Sequence, residues 1–110
     1  MERFVKGDIV VIPFPFSDLS GNKRRPAIVL ANLQGDDIIL CQVTSQQSRD
    51  KYAIYLPLNK IEAGSLPSDS FNRPTRIFTA DKNIIIRKAG RITKSLMEEV
   101  ISTLKSILES

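Results

Sequence analysis

Short runs of β-branched and aliphatic residues, separated by polar punctuation, fill most of the chain before Ser95. Ile9-Val10-Val11-Ile12 follows Gly7-Asp8 and reads as a strand. Pro13 and Pro15 cannot donate ladder hydrogen bonds, so this strand is expected to end on an edge. The stretch Ser17 to Arg24 has loop composition and leads into Pro26-Ala27-Ile28-Val29-Leu30-Ala31, a short apolar run suited to a buried strand. Gln34-Gly35-Asp36-Asp37 separates that run from Ile38-Ile39-Leu40-Cys41-Gln42-Val43-Thr44, the spacing of a β-hairpin. Tyr52, Ile54 and Leu56 alternate with Ala53 and Tyr55, another strand pattern. Irregular sequence is expected around Gly64, Pro67 and Pro74, with further short strands at Arg76 to Ala80 and around Gly90. The period then changes. Leu96, Val100, Leu104, Ile107 and Leu108 recur every three or four positions and predict an amphipathic helix of about three and a half turns. Ser95-Leu96-Met97-Glu98 fits a capping box at its start. Several short strands followed by one helix predict a mainly β fold, a small antiparallel barrel or sandwich closed at one end by the helix.

A length of 110 residues gives one domain spanning 1–110, because two cores cannot be built from so short a chain. Hydrophobic residues at 42% and charged residues at 25% are ordinary for a globular protein. Uncharged runs such as Ile9 to Ser17 fall far short of the ~20 apolar residues of a membrane helix. The amino terminus lacks the apolar segment of a secretion signal, so a cytoplasmic location is expected. Cys41 is the single cysteine; among Leu40 and Val43 it reads as a small buried hydrophobe. The sequence contains no histidine, which removes the usual near-neutral acid-base group and every Ser-His or Cys-His nucleophile pair. The net charge of +4 favours anionic partners. Cations cluster at Lys23-Arg24-Arg25 and again at Arg87, Lys88, Arg91 and Lys94, two groups that also suit solvated faces.

No Gly-rich phosphate loop, metal cluster or nucleophile elbow is present, so no metal or cofactor is expected. Arginines, hydroxyls and a few carboxylates remain, a set that can bind phosphate and stabilise developing charge. RNA needs little more, since its own 2′-hydroxyl is the nucleophile and a protein has only to align it and neutralise the oxyanion. Arg25 is the leading candidate: it immediately precedes Pro26, which restricts it to extended backbone, and its guanidinium offers a planar fork of donors. Pattern alone weighs more heavily toward a basic loop that keeps an edge strand soluble.

Three segments shift that balance. Gly7-Asp8-Ile9-Val10-Val11-Ile12-Pro13-Phe14, Lys23-Arg24-Arg25-Pro26-Ala27-Ile28-Val29-Leu30 and Cys41-Gln42-Val43-Thr44-Ser45-Gln46 resemble, in order and spacing, the signatures of the PemK and MazF toxin family. The resemblance extends through Phe78-Thr79-Ala80-Asp81-Lys82 and the closing helix. It implies an SH3-like or CcdB-like barrel, a homodimer, and cleavage of single-stranded messenger RNA to 2′,3′-cyclic phosphate and 5′-hydroxyl ends, restrained by a cognate antitoxin. DNA binding by the toxin alone and membrane association are not expected.

Carried over by resemblance, Arg25 matches the family's active-site arginine and Thr44 its hydroxyl partner, with Ser45 beside it. Guanidinium groups hold their proton (pKa above ~12), so electrostatic stabilisation is favoured over proton donation. Lys23 and Arg24 are expected to add backbone contacts, and Arg73 and Arg76 fall where the family places further substrate contacts. The loop glutamate assigned as base in some members is absent; Ser20 stands nearest and Asp18 two residues earlier, which leaves the base unassigned. Among the aromatics, Phe14, Phe16, Tyr52 and Tyr55 are read mainly as core, and Phe71, set among polar residues, as the best exposed stacking candidate. The departure at the loop glutamate keeps an alternative open: a noncatalytic barrel that binds nucleic acid or inhibits a protein target in the manner of the CcdB fold.

Overall fold

β1 (Asp8–Pro13) begins at a carboxylate rather than at an apolar residue, and that carboxylate organises the strand. Asp8 is fully buried. Its Oδ2 accepts from the Val5 N–H at 2.8 Å, Arg91 Nε donates to Oδ1 at 2.9 Å, and Lys88 Nζ lies 3.4 Å from Oδ2. Two members of the second cationic cluster are thus spent on neutralising a buried charge, which an unpaired carboxylate could not tolerate. The computed structural model describes residues 3–13, 23–46 and 49–110.

β2 (Arg24–Asn32) and β3 (Asp37–Thr44) form the expected hairpin. Its turn closes with Leu33 N–H donating to the Asp37 carbonyl at 2.9 Å, and Gly35 supplies the positive φ of +82°. β4 (Ile54–Leu56), β5 (Ile61–Glu62), β6 (Ser70–Asp81) and β7 (Arg87–Ile92) complete a seven-stranded sheet in the order β4-β6-β3-β2-β1-β7-β5. Every pairing is antiparallel. The outermost strands, β4 and β5, follow each other in the chain through one 3-10 turn at Leu58–Lys60, so the two ends of the sheet are brought together into a nearly closed barrel. β1 is paired on both sides from Ile9 to Val11, with β7 and β2, by β7 alone at Asp8 and by β2 alone at Ile12 and Pro13. The proline therefore falls where a missing donor costs no ladder bond.

Pro74 departs from the expectation of irregular sequence: it lies inside β6 and is buried. The ladder runs from Cys41↔Ile77 to Val43↔Asn72, so two steps along β3 correspond to five along β6. The surplus bulges out opposite Gln42, and a bulge is where a strand tolerates proline.

The faces of the central strands build two cores. Ile9, Ile28, Cys41, Val43, Leu56 and Ile92 pack with Leu96, Met97 and Val100 of the helix α1 (Lys94–Glu109) on one face. Val10, Ile12, Ala27, Val29, Ile38 and Leu40 pack with Phe4 and the partly buried Phe78 and Ile85 on the other. Cys41 is buried as expected, and desolvation pushes its thiol pKa up to about 11.

Two details of α1 differ from the sequence reading. The cap is Thr93, not Ser95: its Oγ1 accepts from Leu96 N–H at 3.3 Å, and its φ of −64° and ψ of 157° are those of an extended N-cap. The Thr93 N–H is held by the Lys60 carbonyl at 3.0 Å, so the last extended residue falls there and Ser95 is already helical. Thr93→Ala is expected to cost about 1 kcal/mol, read as a lower urea midpoint with unchanged m. The apolar stripe buries Leu96 and Val100 and half-buries Leu104, while Leu108 is 74% exposed because the helix outruns the barrel beneath it.

Candidate active site

The hairpin carries both leading candidates. Ala27↔Gln42 is the last rung of the β2–β3 ladder toward the open end of the hairpin; continuing that register by two residues sets Arg25 opposite Thr44, on the face of the second core. Arg24, Arg25, Pro26, Val43, Thr44 and Ser45 line one open cleft of about 190 Å³, whose far wall is Leu66, Pro67, Ser68 and Ser70. Of the residues singled out in the sequence, the cleft unites Arg24, Arg25, Thr44 and Ser45.

Arg25 Nε is buried and has no hydrogen-bond partner among the described residues. An unsatisfied buried donor costs about 1–3 kcal/mol, so this Nε is open to an acceptor that none of the described residues supplies. Thr44 Oγ1 accepts from the Gln46 N–H at 3.2 Å. A hydroxyl whose lone pair is used in this way keeps its proton for donation. The local backbone bond expected of a strand-end hydroxyl is therefore present and compatible with a second role.

The other candidates lie outside this lining. Lys23 is exposed just before β2, and Arg76 is exposed on β6. Phe71 is half-buried on β6 directly opposite Thr44. Arg73 sits in the β6 bulge, where its Nε donates to Asp50 Oδ2 at 3.2 Å and Thr75 Oγ1 donates to the same oxygen at 3.0 Å. Asp50 also accepts from the Tyr52 N–H at 2.9 Å, so it ties the chain after β3 to the bulge. Burial raises the Asp50 pKa, but the hydrogen bonds from Tyr52, Thr75 and Arg73 outweigh it and hold the carboxyl below its ordinary value. A depressed pKa in the folded state contributes stability above the ordinary carboxylate range, lost as pH falls through the lowered value. The melting temperature should accordingly fall on acidification, and Asp50→Asn should flatten that dependence. Phe14, Phe16, Asp18 and Ser20 lie outside the described residues.

The far wall was invisible in the sequence. Ala63 has a φ of +53° and Gly64 of +143°, and Ser65 N–H donates to the Ala89 carbonyl at 3.0 Å. This close approach to β7 carries Leu66 to Ser70 back toward the hairpin, and only the glycine hinted at it.

A small antiparallel barrel whose open cleft is lined by an arginine and a hydroxyl has donors that could receive an anionic group. The chain belongs to the PemK-like, MazF-like toxin family of type II toxin-antitoxin systems, whose family model matches residues 5–108. Solved structures agree on the fold. A mycobacterial endoribonuclease in complex with its cognate antitoxin is 15% identical at a TM-score of 0.74, over 97% of this chain and 96% of that one. The MazE-MazF structure (Form-III) from Deinococcus radiodurans is 21% identical at a TM-score of 0.75, over 94% of each chain. The Mycobacterium tuberculosis toxin MazF-mt6 is 11% identical at a TM-score of 0.72, over 93% of this chain and 96% of that one. No curated protein matches the chain by sequence.

Proposed function

We propose that this single-domain protein is a cytoplasmic, metal-independent endoribonuclease toxin that cleaves single-stranded messenger RNA. The observation that carries this reading is the buried Nε of Arg25, without a hydrogen-bond partner among the described residues, in an open cleft shared with Thr44. The scissile phosphate sits between them. The 2′-oxygen of the preceding ribose forms a bond to phosphorus as the bond to the 5′-oxygen breaks; the 2′-proton passes to a base that this chain leaves unassigned, and the 5′-oxygen takes a proton from solvent. Products are a 2′,3′-cyclic phosphate and a 5′-hydroxyl. Arg25 neutralises charge growing on the phosphate oxygens, Thr44 donates to one of them, and Arg24 and Ser45 steady the neighbouring backbone. Lys23, Arg73, Arg76 and Phe71 extend the contact surface, with Arg73 restrained by Asp50. A homodimer and a cognate antitoxin that covers the cleft complete the proposal; an acidic antitoxin segment would complement Arg24 and Arg25.

Purified protein incubated with mixed-sequence RNA in EDTA should yield fragments whose new ends are 5′-hydroxyls. Retardation of the RNA without fragments would instead favour a noncatalytic binding module.

A further inference from the structure

Among the described residues, two of the aromatic rings outside the cores meet each other. Tyr55 on β4 is 53% exposed, and its ring meets that of Phe71 on β6 at 5.5 Å between centroids, tilted by 45°. The ladder explains their placement: Tyr55 is opposite Phe71, Phe71 is opposite Thr44, and the continued hairpin register sets Thr44 opposite Arg25. Directly opposed residues in antiparallel strands share a face. The four side chains therefore form one row across β2, β3, β6 and β4. At about 4.8 Å per strand, the row runs roughly 14 Å from Arg25 to Tyr55. The Tyr55 hydroxyl donates to Asp69 Oδ2 at 3.0 Å, and Asp69 Oδ1 in turn accepts from the Leu58 N–H at 2.9 Å. One edge of the ring is thus anchored while more than half of the residue stays open to solvent.

We propose that Tyr55 and Phe71 form a stacking platform for an unpaired nucleobase neighbouring the phosphate held at Arg25 and Thr44, with Asp69 orienting the Tyr55 ring. The inference rests on the RNA-binding reading of the cleft and extends it to the base. A phosphate contact carries no base information, whereas a stacked ring requires a base free of its helix. The row thereby gives a physical reason for selecting single strands. Every base has a π-face, so the platform adds affinity at little cost in sequence tolerance.

The sequence has two tyrosines and no tryptophan, so Tyr52→Phe leaves Tyr55 as the sole strong emitter. Titration with short mixed-sequence 2′-fluoro RNA, which lacks the nucleophile, should quench that emission. Tyr55→Leu should bind this RNA about 10-fold more weakly, the loss expected for one stacked base, with Tyr55→Phe lying between it and the wild type. Unchanged emission on binding, or Tyr55→Leu binding as tightly as the wild type, overturns the platform. The two readings fail separately. Quenching by a protein that cleaves no ribose-containing RNA removes the nuclease and keeps the platform, whereas cleavage with unchanged emission removes the platform alone.

Discussion

Arg25→Ala is expected to lower the rate of RNA cleavage by about 100-fold or more, the usual consequence of deleting a donor aimed at developing oxyanion charge. Stability should move the other way. The Arg25 Nε is buried without a partner among the described residues, so removing it relieves a desolvation cost and the melting temperature should hold or rise. A structural arginine would show the reverse, with a falling melting temperature accompanying the lost activity. Arg25→Lys should also fail to restore the rate, because an ammonium is a point charge and cannot span two phosphate oxygens as a planar fork does. Single-turnover cleavage in EDTA together with thermal melts of the three proteins decides the matter. Cleavage by Arg25→Ala at the wild-type rate would take Arg25 out of the mechanism.

The second large effect concerns stability. A methyl group added at Gly64 would overlap the Ala89 carbonyl and come within 2.8 Å of Gly90 Cα, both of them backbone, at a φ of +143° that side-chain-bearing residues rarely adopt. Neither obstacle can be relieved by turning a side chain. Gly64→Ala is expected to cost about 3 kcal/mol or more, combining backbone strain with overpacking. Against the total of about 5–15 kcal/mol typical of a domain, that loss should appear as a large drop in the urea midpoint. Since the same approach positions Leu66 to Ser70, cleavage activity should fall even at temperatures where the variant remains folded.

What could be read from the sequence follows from how local the determinants are. The β2–β3 hairpin was legible because the apolar runs and the Gly35 turn adjoin each other in the chain; Arg25 and Thr44 were singled out by resemblance, and the folded hairpin is what brings them to one cleft. The strand containing Pro74 was not legible, since what tolerates the proline is a mismatch with β3 more than thirty residues away. Thr93 displaced Ser95 as the cap because the Lys60 carbonyl, another distant group, holds Thr93 extended. Arg73 read as a candidate substrate contact, and only the folded chain shows Asp50 against it. Tyr55 read as core because a small barrel without tryptophan needs aromatics inside; its alternation with Ile54 and Leu56 turns it outward and the other two inward.

The surplus in β6 has a consequence for which way its side chains point. Between Ile77 and Asn72 it holds three residues more than β3 needs, and because three is odd the strand exchanges its inward and outward positions on crossing the irregularity. Deleting a single residue from Arg73 to Arg76 would cancel the exchange. Asn72 would then be turned toward water and Phe71 toward the interior, dismantling the aromatic row without touching any residue in it.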